Sequence, residues 1–123
     1  MNFPANLKYS KTHEWVKELG NGLYEIGLSD FAQKELGDIV YVNLPQTGDE
    51  LKAGKAFGDV ESVKAVSDII SPINGKVKEI NGAIASSPDS INKSPYDFWL
   101  IRAEGTVGEE LLSALDYEGS LSK

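Results

Sequence analysis

One lysine, Lys64, offers the clearest chemistry in this sequence. It lies in the run Phe57-Gly-Asp-Val-Glu-Ser-Val-Lys-Ala-Val-Ser-Asp-Ile-Ile-Ser71. Val60 and Val63 precede it, and Val66, Ile69 and Ile70 follow, so both flanks favour strand. A reversal near Lys64 predicts a hairpin over about residues 55–70 with the amine at its tip. An amine held there suits a carrier. It stands clear of the body for a modifying enzyme, and ladder hydrogen bonds on either side stiffen the base of any attached arm. Ser62, Val63 and Ala65 leave the amine without an ionic partner, and Glu61, three positions back, is a charged recognition handle. The ordinary alternative is a solvated surface lysine, the usual fate of that residue. Turn chemistry argues against it. Two-residue hairpin turns favour Asn-Gly, Asp-Gly or Gly-X, because one or both residues need φ > 0. Val63-Lys64 meets neither demand, and a broken local rule without structural gain points to function.

Short strands must position this lysine. Tyr9 to Leu19, with His13 inside it, and Leu23 to Leu28 read as the first two, joined by Gly20-Asn-Gly22. Asp30 to Leu36 reads as a short helix, capped by Asp30 with Gln33 in the capping-box position and ended by Gly37. Asp38 to Leu44 is apolar on both faces and predicts a central strand. Gly58 interrupts the alternation and marks a bulge or a close backbone approach. Asn74-Gly75 is a favoured turn dipeptide before a strand over Lys76 to Ile80. Residues Ser86 to Tyr96 read as loop, with one helical turn started at Ser87-Pro88. Trp99 to Glu104 reads as the last strand, and Gly108 to Leu121 as one or two short helices, with Ser113 and Asp116 spaced as a capping box. Many short strands with close-set turns predict a mainly β fold, a compact sandwich or barrel with small peripheral and C-terminal helices. No linker or repeat divides residues 1–123, so a single domain is expected.

Composition narrows the function. Over 123 residues, 41% hydrophobic and 25% charged content suits a folded domain with a real core. A net charge of −7 repels phosphate backbones and anionic lipid, so neither nucleic acid nor a membrane is an expected partner. No apolar run reaches the ~18 residues of a spanning helix. With no cysteine, there is no disulfide, thiolate metal site or cysteine nucleophile. The one histidine, His13, cannot build a His-rich zinc site and reads as a packed or surface strand residue rather than a base. No cluster of acid, base and nucleophile emerges, so the chain is not expected to be an enzyme. The start MNFPANLKYSKT has no apolar signal core and no arginine-rich stretch. A bacterial cytoplasmic protein is expected, with a trimmed mitochondrial form as the alternative.

The residues around Lys64 belong to a larger pattern. Gly58-Asp-Val-Glu-Ser-Val-Lys64-Ala is followed by Gly75, eleven residues after the lysine. Before it come His13-Glu-Trp-Val16, Gly27-Leu-Ser-Asp30 with Ala32-Gln33, Leu36-Gly-Asp-Ile-Val-Tyr-Val42 and Leu44-Pro45. After it come Ser71-Pro-Ile-Asn-Gly75, Asn81, Asn92, Ser94-Pro-Tyr96 and Trp99-Leu100. In this order and over about Leu7 to Leu121, the chain resembles the glycine cleavage system H proteins, a family of lipoyl carriers.

The resemblance implies a barrel-sandwich hybrid, the β-sandwich of lipoyl and biotinyl carriers, with pseudo-two-fold symmetry. It implies lipoate in amide linkage on Lys64, with Glu61 and Gly75 in recognition or hairpin support. The implied partners are glycine decarboxylase, which loads an aminomethyl group onto the arm, an aminomethyltransferase, which removes it, and dihydrolipoyl dehydrogenase, which reoxidises the dithiol. Lipoyl-attaching enzymes must act first. With no thiol in the chain, redox sulfur must come from the prosthetic group. Lysine plus lipoyl is about ten bonds in line, a reach on the order of 14 Å. In the family the loaded arm folds back onto the protein. Glu14 and Asp68 match positions near that cleft and are candidates to line it, although for Glu14 plain strand surface is the preferred reading.

The chain departs from the family pattern twice. Asp97-Phe98 stands where a longer, glycine-containing spacer is usual, and Phe31 and Glu35 stand where some members carry polar or histidine residues. Other readings stay on the table: an H-like protein that relays lipoyl groups to other acceptors, a biotinyl or acyltransferase lipoyl domain, or an unmodified β interaction module. Biotin carriers place methionine beside the lysine, whereas Met1 is the only methionine here.

Overall fold

The computed structural model describes residues 1–121. Its strands are β1 (Lys8–Ser10), β2 (Glu14–Gly20), β3 (Leu23–Leu28), β4 (Ile39–Asn43), β5 (Glu50–Leu51), β6 (Ala56–Ser62), β7 (Val66–Ile70), β8 (Ile73–Ile80), β9 (Ile101–Val107) and β10 (Leu111–Leu112). Its helices are α1 (Asp30–Leu36), α2 (Ala83–Ser86), α3 (Ser90–Lys93) and α4 (Ala114–Leu121). All strand pairs are antiparallel. One sheet runs β10-β1-β2-β3-β9-β8-β5, and a smaller one runs β4-β6-β7. This is the mainly β sandwich with small helices that the sequence predicts.

The two sheets close over one apolar layer. Val16, Ile26, Ile73, Val77, Ile101 and Ala103 point in from the larger sheet, and Ile39, Val42, Val60 and Ile69 from the smaller. Each fully buried aliphatic side chain of this kind contributes about 1.5–3 kcal/mol. A second cluster joins the ends of the chain. Tyr9 of β1 stacks on Tyr117 of α4 with centroids 4.7 Å apart, and Leu7 and Trp15 complete it.

Turn chemistry follows the sequence at the β2–β3 hairpin. Asn21 (φ 55) and Gly22 (φ 76) both sit in the left-handed region, as an Asn-Gly turn requires. Helix α1 ends on Gly37 (φ 78), whose N–H reaches the Gln33 carbonyl. Its N-terminus differs from expectation. Ser29, not Asp30, is the cap, accepting the Ala32 N–H at 3.2 Å, while Asp30 lies inside the first turn and accepts from Gln33 Nε2 at 2.7 Å. Ser113 caps α4 through the Asp116 N–H at 3.1 Å, as its spacing predicts.

Several expected elements are redrawn. The first strand is two, broken at Lys11–His13, and His13 holds φ 77 in the turn rather than lying in a strand. Strand β4 is an outer strand of its sheet, not a central one. A bulge between Ile39 and Tyr41 sends both Val40 and Tyr41 outward, so the apolar run has one buried and one exposed set. Asn74-Gly75 is no turn. Both residues lie within β8, and the chain passes from the small sheet to the large one at Ser71-Pro72, where Ser71 Oγ takes the Ile73 N–H. Pro88 precedes α3 instead of opening it, and β9 is followed by β10 before the tail forms its single helix.

Candidate functional site

The Lys64 hairpin is built from β6 and β7, with Asp59 opposite Asp68, Val60 opposite Ser67 and Glu61 opposite Val66. The ladder closes with the Ser62 N–H on the Ala65 carbonyl at 2.8 Å, leaving Val63-Lys64 as the turn. Neither turn residue has positive φ. The missing turn chemistry is supplied by Ser62, whose Oγ accepts the N–H groups of Lys64 and Ala65, each at 3.1 Å. The Val63 N–H leaves the hairpin and donates to the Asp38 carbonyl at 3.0 Å. Ser62 is thus a site residue that strand propensity missed. The available signal was a hydroxyl two positions before the tip lysine. Gly58 fits its reading: the β6–β7 register shifts between Ala56 and Gly58, and a Cβ at Gly58 would strike the Asn43 carbonyl oxygen.

The lysine chain lies over the C-terminus of α1. A Cβ at Gly37 would stand 3.1 Å from Cε and 3.8 Å from Nζ of Lys64. Asn92 of α3 holds this platform. Its Nδ2 donates to the Gly37 carbonyl (2.9 Å) and to Gln33 Oε1 (3.0 Å), and its Oδ1 accepts the Ile39 N–H (2.9 Å). Lys64 itself is exposed and forms an ion pair with none of the described residues.

Beside the tip opens a cleft of about 380 Å³. Ala65 to Asp68 form one side, α1 with Phe31 and Glu35 forms the other, and Glu14 and Val60 lie between. Glu14 is 1% exposed, which overturns its reading as strand surface. It opens β2 at the seam between the sheets. Its Oε1 accepts from Ser10 Oγ at 2.7 Å and from Thr12 Oγ1, and its Oε2 accepts the Ile70 N–H of β7 at 3.3 Å. Burial pushes its carboxyl up to about 7, against the pull of those three donors. His13, also on the cleft, is held below the usual imidazole value by burial.

The predicted residues therefore divide. Lys64 stands beside a cleft that both Glu14 and Asp68 line. Glu61 is exposed on the outer face of the small sheet. Gly75 is not at the hairpin at all. It sits opposite Gly105 in the β8–β9 ladder, where a Cβ would strike the Glu104 carbonyl oxygen. Among the described residues no group of three or more His, Asp or Glu is placed to hold a metal. No described helix is long and apolar enough to cross a membrane.

Comparison with known proteins gives this geometry a family. The sequence profile of the glycine cleavage H-protein matches residues 7–123. The chain belongs to the glycine cleavage H-protein family. It is 49% identical to the glycine cleavage system H protein of Bacillus licheniformis, over all of this chain and 99% of that one. With the H protein of Oceanobacillus iheyensis the identity is 52%, covering 96% of each. The crystal structure of an H protein from Mycobacterium marinum superposes with a TM-score of 0.91 at 36% identity, over 98% of this chain and 99% of that one.

H proteins are carriers, not catalysts, and hold lipoate covalently on a lysine. The chain is accordingly a lipoyl carrier of the glycine cleavage system, working with glycine decarboxylase, aminomethyltransferase and dihydrolipoyl dehydrogenase. The relay alternative is not favoured by these relatives. The residues fit the prosthetic group: an unpaired amine for the amide, a largely apolar cleft within reach, and no thiol in the chain to compete with it.

Proposed function

We propose that Lys64 is the lysine that bears lipoate, and that Glu14 and Asp68 line the cleft in which the arm rests, with Glu61 a recognition contact. The exposed, unpaired amine on a tip tied by Ser62 carries this reading. When bound, the lipoyl group supplies a redox-active pair of sulfurs. The chain's part is mechanical and electrostatic. Ser62 and Asp38 hold the tip backbone, so the arm pivots about the lysine side chain and not about a loose loop. Leu28, Phe31, Leu36 and Val60 offer the cleft's apolar surface, which favours an aliphatic arm over water. Glu14 and Asp68 offer the sites where a cationic cargo would be held. Gly75 contributes as a backbone necessity of β8. The protein acts as one domain, residues 1–123, in the bacterial cytoplasm. The Bacillus licheniformis and Oceanobacillus iheyensis relatives are bacterial and lend nothing to a mitochondrial form.

Intact mass and peptide mapping test this reading. Protein from cells supplied with lipoate is expected to carry one lipoyl adduct, on the peptide containing Lys64. Lys64→Arg is expected to fold and carry none. An adduct retained by Lys64→Arg, on any other lysine, would overturn the assignment.

A further inference from the structure

The outer face of the β4–β6–β7 sheet is unlike the rest of the surface. Residues opposite one another in a ladder share a face, so Tyr41, Glu61 and Val66 form one row across it, and Asn43, Asp59 and Asp68 form the next. The β4 bulge adds Val40 to the first row. At the tip stands Val63. Val40, Tyr41, Val63 and Val66 are 54%, 53%, 67% and 65% exposed, four of the eight large apolar side chains most open to water among the described residues. The acids Asp59 and Glu61 beside them enter no ion pair with the described residues, nor does Asp68, which on the edge strand β7 stands where this face meets the cleft. Asp59 opposite Asp68 sets like charges directly across a ladder, an arrangement that costs stability. In these rows no cation answers them.

We propose that this face is the docking surface for the lipoyl-attaching enzyme, which meets it with an apolar patch and cationic side chains. The proposal rests on Lys64 as the attachment point. Reach selects the occupant. Once the arm is in place, it spans on the order of 14 Å, and an enzyme acting on its far end can stay off the tip. The attaching enzyme has no such distance to use. It must bring the carbonyl carbon of an activated lipoyl donor to within about 3–3.5 Å of Nζ. The amine, having given a proton to a base of that enzyme, attacks this carbon. A C–N bond forms, the bond to the donor's leaving group breaks, the leaving group keeps the electron pair, and the nitrogen loses a second proton to the same base or to solvent as the amide forms. An enzyme that close must cover what surrounds the lysine, and the surroundings are apolar and acidic. Val63 stands exposed in the turn itself, and its N–H on the Asp38 carbonyl ties the tip backbone to the residue that precedes β4.

The test separates attachment from carriage. Unmodified protein is supplied to a purified lipoyl-attaching enzyme with its activated donor, and the adduct is followed by intact mass. The double variant Val40→Ser/Tyr41→Ser removes exposed side chains and is expected to unfold at the wild-type denaturant midpoint. Its kcat/KM for attachment is expected to fall about tenfold, mainly through KM, as for loss of interface anchors. Tyr41→Phe keeps the ring and is expected to restore most of that loss. Glu61→Gln is expected to raise KM and flatten its dependence on salt. The double variant, once driven to full lipoylation, is expected to support glycine–bicarbonate exchange with glycine decarboxylase at the wild-type rate. Attachment to the double variant at the wild-type rate would overturn the docking surface while leaving Lys64 as the modified residue. An equal fall in attachment and exchange would also overturn it, since the face would then serve every partner. Failure of the Lys64 assignment reads differently: the adduct itself would be on another residue.

Discussion

The hydroxyl of Tyr117 and Nδ1 of His13 are hydrogen-bonded at 2.8 Å, joining residues 104 positions apart. The same hydroxyl lies 2.7 Å from Ser29 Oγ, the cap of α1. The C-terminal helix thereby ties the turn before Glu14 to the helix that walls the cleft. A backbone bond from the Ser29 N–H to the His13 carbonyl, at 3.0 Å, doubles the link.

Tyr117→Phe keeps the stack on Tyr9 and removes only the hydroxyl. Leaving buried polar partners unsatisfied costs about 1–3 kcal/mol, so the urea midpoint is expected to fall accordingly. Amide exchange should rise most at Ser29 and Ala32, whose N–H groups depend on this junction. Uniform loss of protection across the chain would show that the hydroxyl serves the whole core and not the cleft.

Glu14 makes stability depend on pH. Its folded-state value, about 7, lies above the ordinary 4.5, so the folded protein holds this proton more tightly than the unfolded chain. That contribution is complete below about pH 4.5 and is lost as pH rises to about 7. Glu14→Gln lacks it. Over that window the wild type is expected to lose on the order of 3 kcal/mol relative to the variant, read from denaturation at each pH. Parallel stability curves for the two proteins would contradict the burial argument.

Gly75→Ala places a methyl group on the Glu104 carbonyl oxygen, and Gly105→Ala does the same to Asn74. Both atoms are backbone in the middle of the β8–β9 ladder, so neither can move aside cheaply. Each variant is expected to lose about 1–3 kcal/mol, the range for overpacking with a backbone shift, and Gly75→Ala is expected to accept lipoate at the normal rate if it folds. A stable Gly75→Ala that resists lipoylation would return Gly75 to a direct recognition role.

Local patterns explain much of what was readable in advance. Asn21-Gly22, Gly37 and Ser113 each act through neighbours a few residues away, and each behaves as its residue type dictates. The hairpin around Lys64 follows from β-branched residues on both flanks. Asn74-Gly75 misled because a turn dipeptide is a preference, and here the pairing of Gly75 with Gly105 overrides it. Val40 and Tyr41 misled because hydrophobic runs reveal a strand without revealing which side of a bulge each residue takes.

From the sequence alone follow the mainly β class, the lysine at a hairpin tip, the absence of thiols and the acidic surface. All rest on residue type and short spacing. The tertiary structure decided that Glu14 is buried, that Asn92 holds the platform under the lysine, that Tyr117 locks the cleft, and that β4 turns an apolar row to solvent. Glu14 meets Ile70 across 56 residues, and Asn92 meets Ile39 across 53. Such contacts form only when the sheets close on each other and the helices pack against them. Burial is a property of that closure, and no window along the chain contains it.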